Sequence, residues 1–349
     1  MTADAAPPSE LKHLLSLRDL DHDEWEKLLH HAELLSGPRG REPLLAGKRF
    51  GQIFLNPSLR TRTAFEVACW DLGAHAVYLQ PGTGLWELDY RKGVSMTGAA
   101  AEHVQEAIGV LGRMLDGIGM RSFANMEDAA EDAEDPVLSA VAAASSVPVL
   151  NLESAMDHPH QGLADALTLR RHLGDARKPA RKVKVVVRWA PHINPLPMAV
   201  PHAAVLAFAR DGHEVVLAHP SGCGLDGGVL SRAVELAGEA GGSIEVMHDK
   251  DEAMDGATVV YAKSWGPRYL YGNKDAACAF LSDHLDWMVT AEDMARTDEG
   301  SFMHCLPVRR GLVVEDAVLD SPRSLVLEQG SARLDVQKAT LCRALGVEP

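Results

Sequence analysis

Short apolar runs alternate with amphipathic helical stretches along almost the whole of this 349-residue chain, and no other feature limits its fold as much. In the first half, residues 49–55, 75–79, 117–120 and 147–152 read as buried strands. In the second half, residues 183–189, 214–218, 243–247, 258–262, 301–305 and 324–327 do. Segments 21–35, 101–115, 135–145, 162–173 and 332–345 carry apolar residues three and four apart, the spacing of an amphipathic helix. Strands joined through helices pair in parallel, and a parallel sheet is covered by helices on both faces. The expected fold is therefore α/β, with two doubly wound parallel-sheet domains. The division falls at residues 1–155 and 156–331, with helix 162–173 as the bridge and the last helix, 332–345, folding back onto the first domain. Residues 1–10 read as disordered, and Lys178-Pro179-Ala180-Arg181 as a polar break.

Composition removes several classes of function. With 46% hydrophobic and 24% charged residues the chain is typical of a water-soluble globular protein, and no run approaches a membrane span. Residues 1–8 lack the basic and apolar blocks of a signal peptide, so a cytoplasmic location is expected. The five cysteines lack CxxC spacing and suit neither a disulfide framework nor a zinc cluster. The sixteen histidines include no HExxH pattern; no metal site and no cofactor are expected. A formal charge of −15 argues against nucleic acid as a partner but not against small anions, which need only local positive charge.

Local positive charge is what residues 54–66, FLNPSLRTRTAFE, supply. Strand 49–55 ends at Asn56, an N-cap residue, and Pro57 suits the first helical position. Phe65, Ala68, Cys69 and Leu72 then form one apolar face, stopping at Gly73. Ser58, Arg60 and Thr61 fall in the first turn. Free backbone N–H groups, the helix dipole, two hydroxyls and a guanidinium converge there, a combination that suits a phosphate. A capped helix with solvated arginines would carry the same residues, so the reading needs support elsewhere.

Support comes from the other strand ends, where open α/β sheets bind ligands. Arg121 follows one strand; Glu153 follows another, with His158 and Gln161 just beyond; Trp189 and His192, Lys263, and His304-Cys305 follow three more. Singly, each has an ordinary structural explanation: a helix-start histidine, a snorkelling lysine, a small core cysteine. Cys305 has no legible His–Asp partnership, which favours a role for its backbone over one for its thiol. Apolar strands that end repeatedly in Arg, Glu, His and Lys are hard to explain by packing.

Three segments resemble one family. Residues 54–66 resemble the carbamoyl-phosphate signature of aspartate and ornithine carbamoyltransferases, His158-Pro159-His160-Gln161 their His-Pro-x-Gln, and His304-Cys305-Leu306-Pro307 their His-Cys-Leu-Pro. The resemblance implies an interdomain cleft and a homotrimer with active sites between subunits. It implies that Ser58, Leu59, Arg60, Thr61, Arg121, His158, Gln161 and Arg309 hold carbamoyl phosphate, with Arg60, Thr61, His158, Gln161 and Arg309 catalytic. Trp86 would reach in from a neighbouring subunit. Glu153, Lys263, Trp189 and the Cys305–Leu306 backbone would hold the acceptor.

Residues 261–266 differ from the Ser-Met-Gly loop of ordinary ornithine carbamoyltransferases. With Trp86, residues 189–192 and residues 303–310, they resemble the N-acylornithine carbamoyltransferases of arginine synthesis. The resembling acetylornithine enzymes have a glutamate facing the acyl group where this chain has Ala101, and some have a modified lysine where it has Val313. Both departures favour a succinyl over an acetyl acceptor. The opposite expectation is that Glu102 takes over the glutamate's place.

Two other readings compete with this one. Residues 222–227 match GxGxxG after strand 214–218, which would suit an NAD-dependent oxidoreductase, although His219, Pro220 and Ser221 separate them from the strand. A catalytically dead relative would have lost an Arg or His of the phosphate set, and none is lost.

Overall fold

The computed structural model describes residues 11–174 and 182–349, so the expectations for residues 1–10 and for the polar break at 178–181 lie outside the described part. The first sheet holds β1 (Arg49–Phe54), β2 (His75–Leu79), β3 (Gly117–Arg121) and β4 (Val149–Glu153), all parallel, in the order β2-β1-β3-β4. The second holds β5 (Lys184–Trp189), β6 (Glu214–Ala218), β7 (Ser243–Met247), β8 (Val259–Lys263) and β9 (Ser301–Met303), also parallel, in the order β9-β8-β5-β6-β7. Helices occupy the connections, as parallel pairing requires.

Alternation along β1 explains how the first sheet is buried on both sides. Phe50 and Phe54 join the main core, where Phe50 stacks on Phe65 of the helix Arg60–Asp71 at 5.4 Å. Ile53, with Ile118 and Met120 of β3, faces a second cluster built by Val104, Ile108, Leu138 and Val141. The main core runs from Leu14 to Ala344 and includes residues of both sheets. The helix Pro159–Leu173 crosses it, and Gly162 lets it approach the helix Ala199–Arg210, because a Cβ there would lie 2.8 Å from the Ala203 carbonyl oxygen. The last helix, Val326–Ala344, packs on His22–Leu35, Arg60–Asp71 and Pro159–Leu173, all from the first half of the chain.

Four of the departures from the expected elements have a visible reason. The helix expected from Pro57 starts at Arg60. Asn56 is diverted, its Oδ1 accepting the Phe123 N–H at 2.7 Å, and Ser58 Oγ takes over the cap by accepting the Thr61 N–H at 3.2 Å. The helix expected from Ala101 starts at Val104, because Glu102–His103 pairs with Leu88–Asp89 and the His103 ring accepts the Gln105 N–H. Residues 324–327 are not a strand: Ser324 makes a single bridge to Phe302, and the helix expected from Ala332 begins at Val326. Among the described residues, no helix is long and apolar enough to cross a membrane.

Candidate active site

Each sheet reverses its winding at one place, between β1 and β3 in the first and between β5 and β8 in the second. Crevices open at the carboxyl ends of strands at such points. Both open here onto one cavity of about 680 Å³. From the first sheet come Ser58, Leu59, Arg60 and Thr61 after β1, Arg121 of β3 and Glu153 of β4; from the second come His192 after β5, Lys263 of β8, and Cys305 and Leu306 after β9. His158 and Gln161, at the start of Pro159–Leu173, and Arg309 also line the cavity.

Register places these side chains. Arg121 pairs with Phe54 across β1–β3, which brings it level with the loop leaving β1. A bulge between Met120 and Arg121 shifts its partner on β4 to Glu153, and the two side chains form an ion pair at 2.5 Å. Arg121 Nη2 also donates to the Pro57 carbonyl at 3.4 Å. His158 Nε2 lies 3.4 Å from the same Glu153 carboxylate. Glu153 and Leu306 are non-glycine residues with φ of +137° and +54°, a sparsely populated region that concentrates at functional sites. Arg309 Nε donates to His192 Nε2 at 3.0 Å, and Lys263 Nζ to the Ser264 carbonyl at 2.7 Å.

Arg333, which no sequence motif marks, joins these residues from the last helix. It is 3% exposed, and its Nη1 donates to Gln161 Oε1 at 2.7 Å while its Nη2 donates to Thr61 Oγ1 at 2.8 Å. One guanidinium therefore ties the phosphate-type helix start to the His-Pro-x-Gln segment. The available signal was the spacing of Gln329, Arg333, Gln337 and Thr340, polar residues on a helix face that is otherwise apolar and buried.

Five cationic side chains line the cavity (Arg60, Arg121, Lys263, Arg309 and Arg333) against one carboxylate, Glu153. Burial holds Arg60 and Lys263 below their usual ranges and brings Arg333 down to about 10. His158, buried among arginines, is held well below the normal imidazole value and is neutral at pH 7. Burial pushes the Cys305 thiol up to about 11, so it stays protonated, in keeping with a backbone role. Partly buried cations without matching anions are costly, and a multiply charged anion would offset that cost.

Three expected site residues lie elsewhere. Trp189 is a correction: it has no exposed surface, its indole N–H donates to the Trp265 carbonyl at 2.9 Å, and its ring meets Phe280, His284 and Trp287 edge-on. At the paired end of β8, Lys263 faces the cavity while Trp189 fills the core. Trp86 and Ala101 are exposed and do not line the cavity of their own chain; Trp86 Nε1 donates to Glu102 Oε2 at 2.8 Å.

The family model for the aspartate/ornithine carbamoyltransferase carbamoyl-P binding domain matches residues 12–171, and that for the Asp/Orn binding domain matches residues 198–344. The chain belongs to the aspartate/ornithine carbamoyltransferase family. An N-acetylornithine carbamoyltransferase of Xanthomonas campestris pv. campestris is 40% identical over 338 residues, 96% of this chain and 98% of the relative. An N-succinylornithine carbamoyltransferase of Bacteroides thetaiotaomicron is 37% identical over 286 residues, 82% of this chain and 84% of the relative. An acetylornithine transcarbamylase solved with acetylcitrulline superposes with a TM-score of 0.93 at 40% identity, covering 97% of this chain and 100% of the other.

For a carbamoyltransferase, the GxGxxG at 222–227 has another explanation, and the oxidoreductase reading finds no support. At the start of the helix Gly227–Glu239, where a pyrophosphate would sit, the Asp226 carboxylate already accepts the Gly228 and Val229 N–H groups and pairs with Arg268 at 2.6 Å.

Proposed function

We propose that this carbamoyltransferase moves the carbamoyl group of carbamoyl phosphate to the δ-amine of an N2-acyl-L-ornithine, succinyl in preference to acetyl, giving N-acyl-L-citrulline and phosphate. The observation that carries the reading is the cavity's imbalance of five cations to one carboxylate. It suits a dianionic phosphate together with the acceptor's carboxylate. It also disfavours free ornithine, whose charged α-amine would need an acidic partner, while Glu153 is already engaged by Arg121 and lies beside His158. An acylated α-nitrogen carries no charge and makes no such demand.

In this reading residues 1–155 form the carbamoyl-phosphate domain and residues 156–331 the acceptor domain, with the last helix completing the first. Ser58, Leu59, Arg60, Thr61, Arg121 and Arg309 hold the phosphate. Arg60, Thr61 and His158 polarise the carbamoyl carbonyl, together with Arg333, and Gln161 helps to hold the carbamoyl group. Glu153, Lys263 and the Cys305–Leu306 backbone orient the acceptor. The neutral δ-amine forms the new C–N bond, the bond between the carbonyl carbon and the bridging phosphate oxygen breaks, and the leaving phosphate carries away the amine's proton. Preorganised donors aimed at the growing charge supply the rate. The subunits form a homotrimer in which Trp86 and Ala101 serve a neighbour's cavity; their exposure and their place outside their own cavity support this. The five free cysteines suit a cytoplasmic enzyme.

Ala101 supports the succinyl preference. Mutants of N-acetyl-L-ornithine transcarbamylase in which a glutamate is replaced by alanine, serine, valine or proline have been solved with carbamyl phosphate and N-succinyl-L-norvaline, at 40–41% identity to this chain. A glutamate beside the succinyl carboxylate would repel it by about 1 kcal/mol if solvated. The helix dipole adds little to this argument, because the helix begins at Val104 rather than at Ala101. Ureido-product formation from carbamoyl phosphate with N-succinylornithine, N-acetylornithine, ornithine and aspartate in parallel tests the proposal. The expected order of kcat/KM is succinyl, then acetyl, with the free amino acids far behind, and Ala101→Glu should move the preference toward acetyl. Efficient turnover of ornithine or aspartate would overturn the acceptor assignment. A wild-type preference for acetyl that Ala101→Glu leaves unmoved would overturn the succinyl assignment.

A further inference from the structure

Behind the cavity wall, one helical turn beyond Gln161, Asp165 is fully buried and does not line the cavity. Its Oδ1 accepts two amide N–H groups, from Gln161 Nε2 at 2.7 Å and from Gln329 Nε2 at 2.6 Å. Oδ1 accepts both bonds whether the acid is ionised or carries its proton on Oδ2, so each glutamine turns its NH₂ toward Asp165 and its carbonyl away. The two carbonyls then serve opposite ends of the site. Gln161 Oε1 accepts from Arg333 Nη1 at 2.7 Å, and the same guanidinium donates to Thr61 Oγ1 at 2.8 Å. Gln329 Oε1 accepts the His304 backbone N–H at 2.9 Å, and His304 Nδ1 accepts the Leu306 N–H at 2.9 Å. The Tyr261 hydroxyl neighbours Asp165, and neither it nor Asp165 Oδ2 has a hydrogen-bond partner among the described residues.

We propose that Asp165 is a positioning residue that, through Gln161 and Gln329, holds the carbamoyl-phosphate end and the acceptor end of the cavity in register. The assignment of the two ends rests on the function proposed above. Without a shared acceptor at position 165, either amide is free to rotate by half a turn. A rotated Gln161 sets NH₂ against the Arg333 guanidinium, and a rotated Gln329 sets NH₂ against the His304 N–H, donor facing donor in both cases. Burial pushes Asp165 up to about 7, so its charge is costly to keep at this position.

Steady-state kinetics of three variants in both substrates, with thermal melts to verify folding, tests the proposal. Asp165→Leu keeps the branched shape and removes the acceptor; kcat should fall by about 100-fold, as for small misplacements of reacting groups, and both KM values should rise. Asp165→Asn keeps an oxygen able to accept both N–H bonds and should recover most of that loss. Gln329→Leu cuts only the arm to His304, and should raise the acceptor KM severalfold while leaving the carbamoyl-phosphate KM within about twofold. A purely structural role would lower melting temperature without that split. A folded Asp165→Leu with wild-type constants overturns the proposal. So does an Asp165→Asn as impaired as Asp165→Leu, or a Gln329→Leu that moves both KM values together or neither. If Asp165→Leu does not fold, the other two variants decide. Wild-type protein with no carbamoyl transfer at all would instead remove the functional reading on which the two ends were named.

Discussion

Arg333 concentrates what single residues contribute here. Its two donors reach Gln161 and Thr61, residues that approach the cavity from different elements, and it is buried by the helix that carries it. Because both prongs of the guanidinium are used, a point charge on a flexible stem cannot replace it. Arg333→Ala is expected to lower kcat/KM for carbamoyl transfer by about 100- to 1000-fold, the usual cost of removing one donor to developing charge. Arg333→Lys should recover less than a tenth of that loss on the ratio scale. Initial rates with saturating acceptor measure both, and a folded Arg333→Lys of near wild-type efficiency would show that charge alone suffices. Residues of this kind are hard to read in a sequence. Arg60 and His158 stand in contiguous motifs at strand ends, whereas Arg333 reaches the site only because the last helix lies across Arg60–Asp71 and Pro159–Leu173.

At the level of elements, strands were more legible than helix starts. Apolar, valine-rich runs such as Lys184–Trp189 and Glu214–Ala218 have few alternatives to a buried parallel strand. Helix starts depend on which backbone N–H each polar side chain finds. Asn56 looks like a cap but is drawn to Phe123, and residues 101–103 look helical but are held by the ladder to Leu88–Asp89. Trp189 was misplaced for a related reason: a strand end shows that a residue is near a crevice, not which way its side chain points. Close helix packing, as of Gly162 against Ala203, leaves equally little trace in the sequence. A Cβ there would lie 2.5 Å from Leu17 Cδ1 and 2.8 Å from the Ala203 carbonyl oxygen, and the second contact is backbone that cannot swing aside. Gly162→Ala is therefore expected to destabilise the protein by about 1–3 kcal/mol, the range for overpacking, despite alanine's better helix propensity. Gln161 is the adjacent residue, so activity should fall with stability. A melting temperature equal to or above that of the wild type would mean that the two helices separate without cost.

For the whole molecule, the decisive property is whether one chain's cavity is complete. Twelve of the expected site residues gather in one cavity within the chain: Ser58, Leu59, Arg60, Thr61, Arg121, Glu153, His158, Gln161, Lys263, Cys305, Leu306 and Arg309. Trp86 does not, although it is 60% exposed on a segment that also exposes Leu85, Val94 and Met96. A large aromatic ring flanked by other exposed apolar side chains is costly in a monomer and is the kind of surface that partners cover. If each site combines Arg60 of one subunit with Trp86 of the next, two individually impaired variants complement each other. In a trimer reassembled from equal amounts of Arg60→Ala and Trp86→Ala chains, half of the subunits carry an intact Arg60. Half of their neighbours carry an intact Trp86, so about a quarter of the sites are wild type in a closed ring of this kind. Mixing after mild dissociation should therefore recover about a quarter of wild-type activity, well above either parent, with sedimentation reporting a trimer throughout. Activity equal to the average of the parents, in mixed trimers verified by mass, would show that every chain builds its own site.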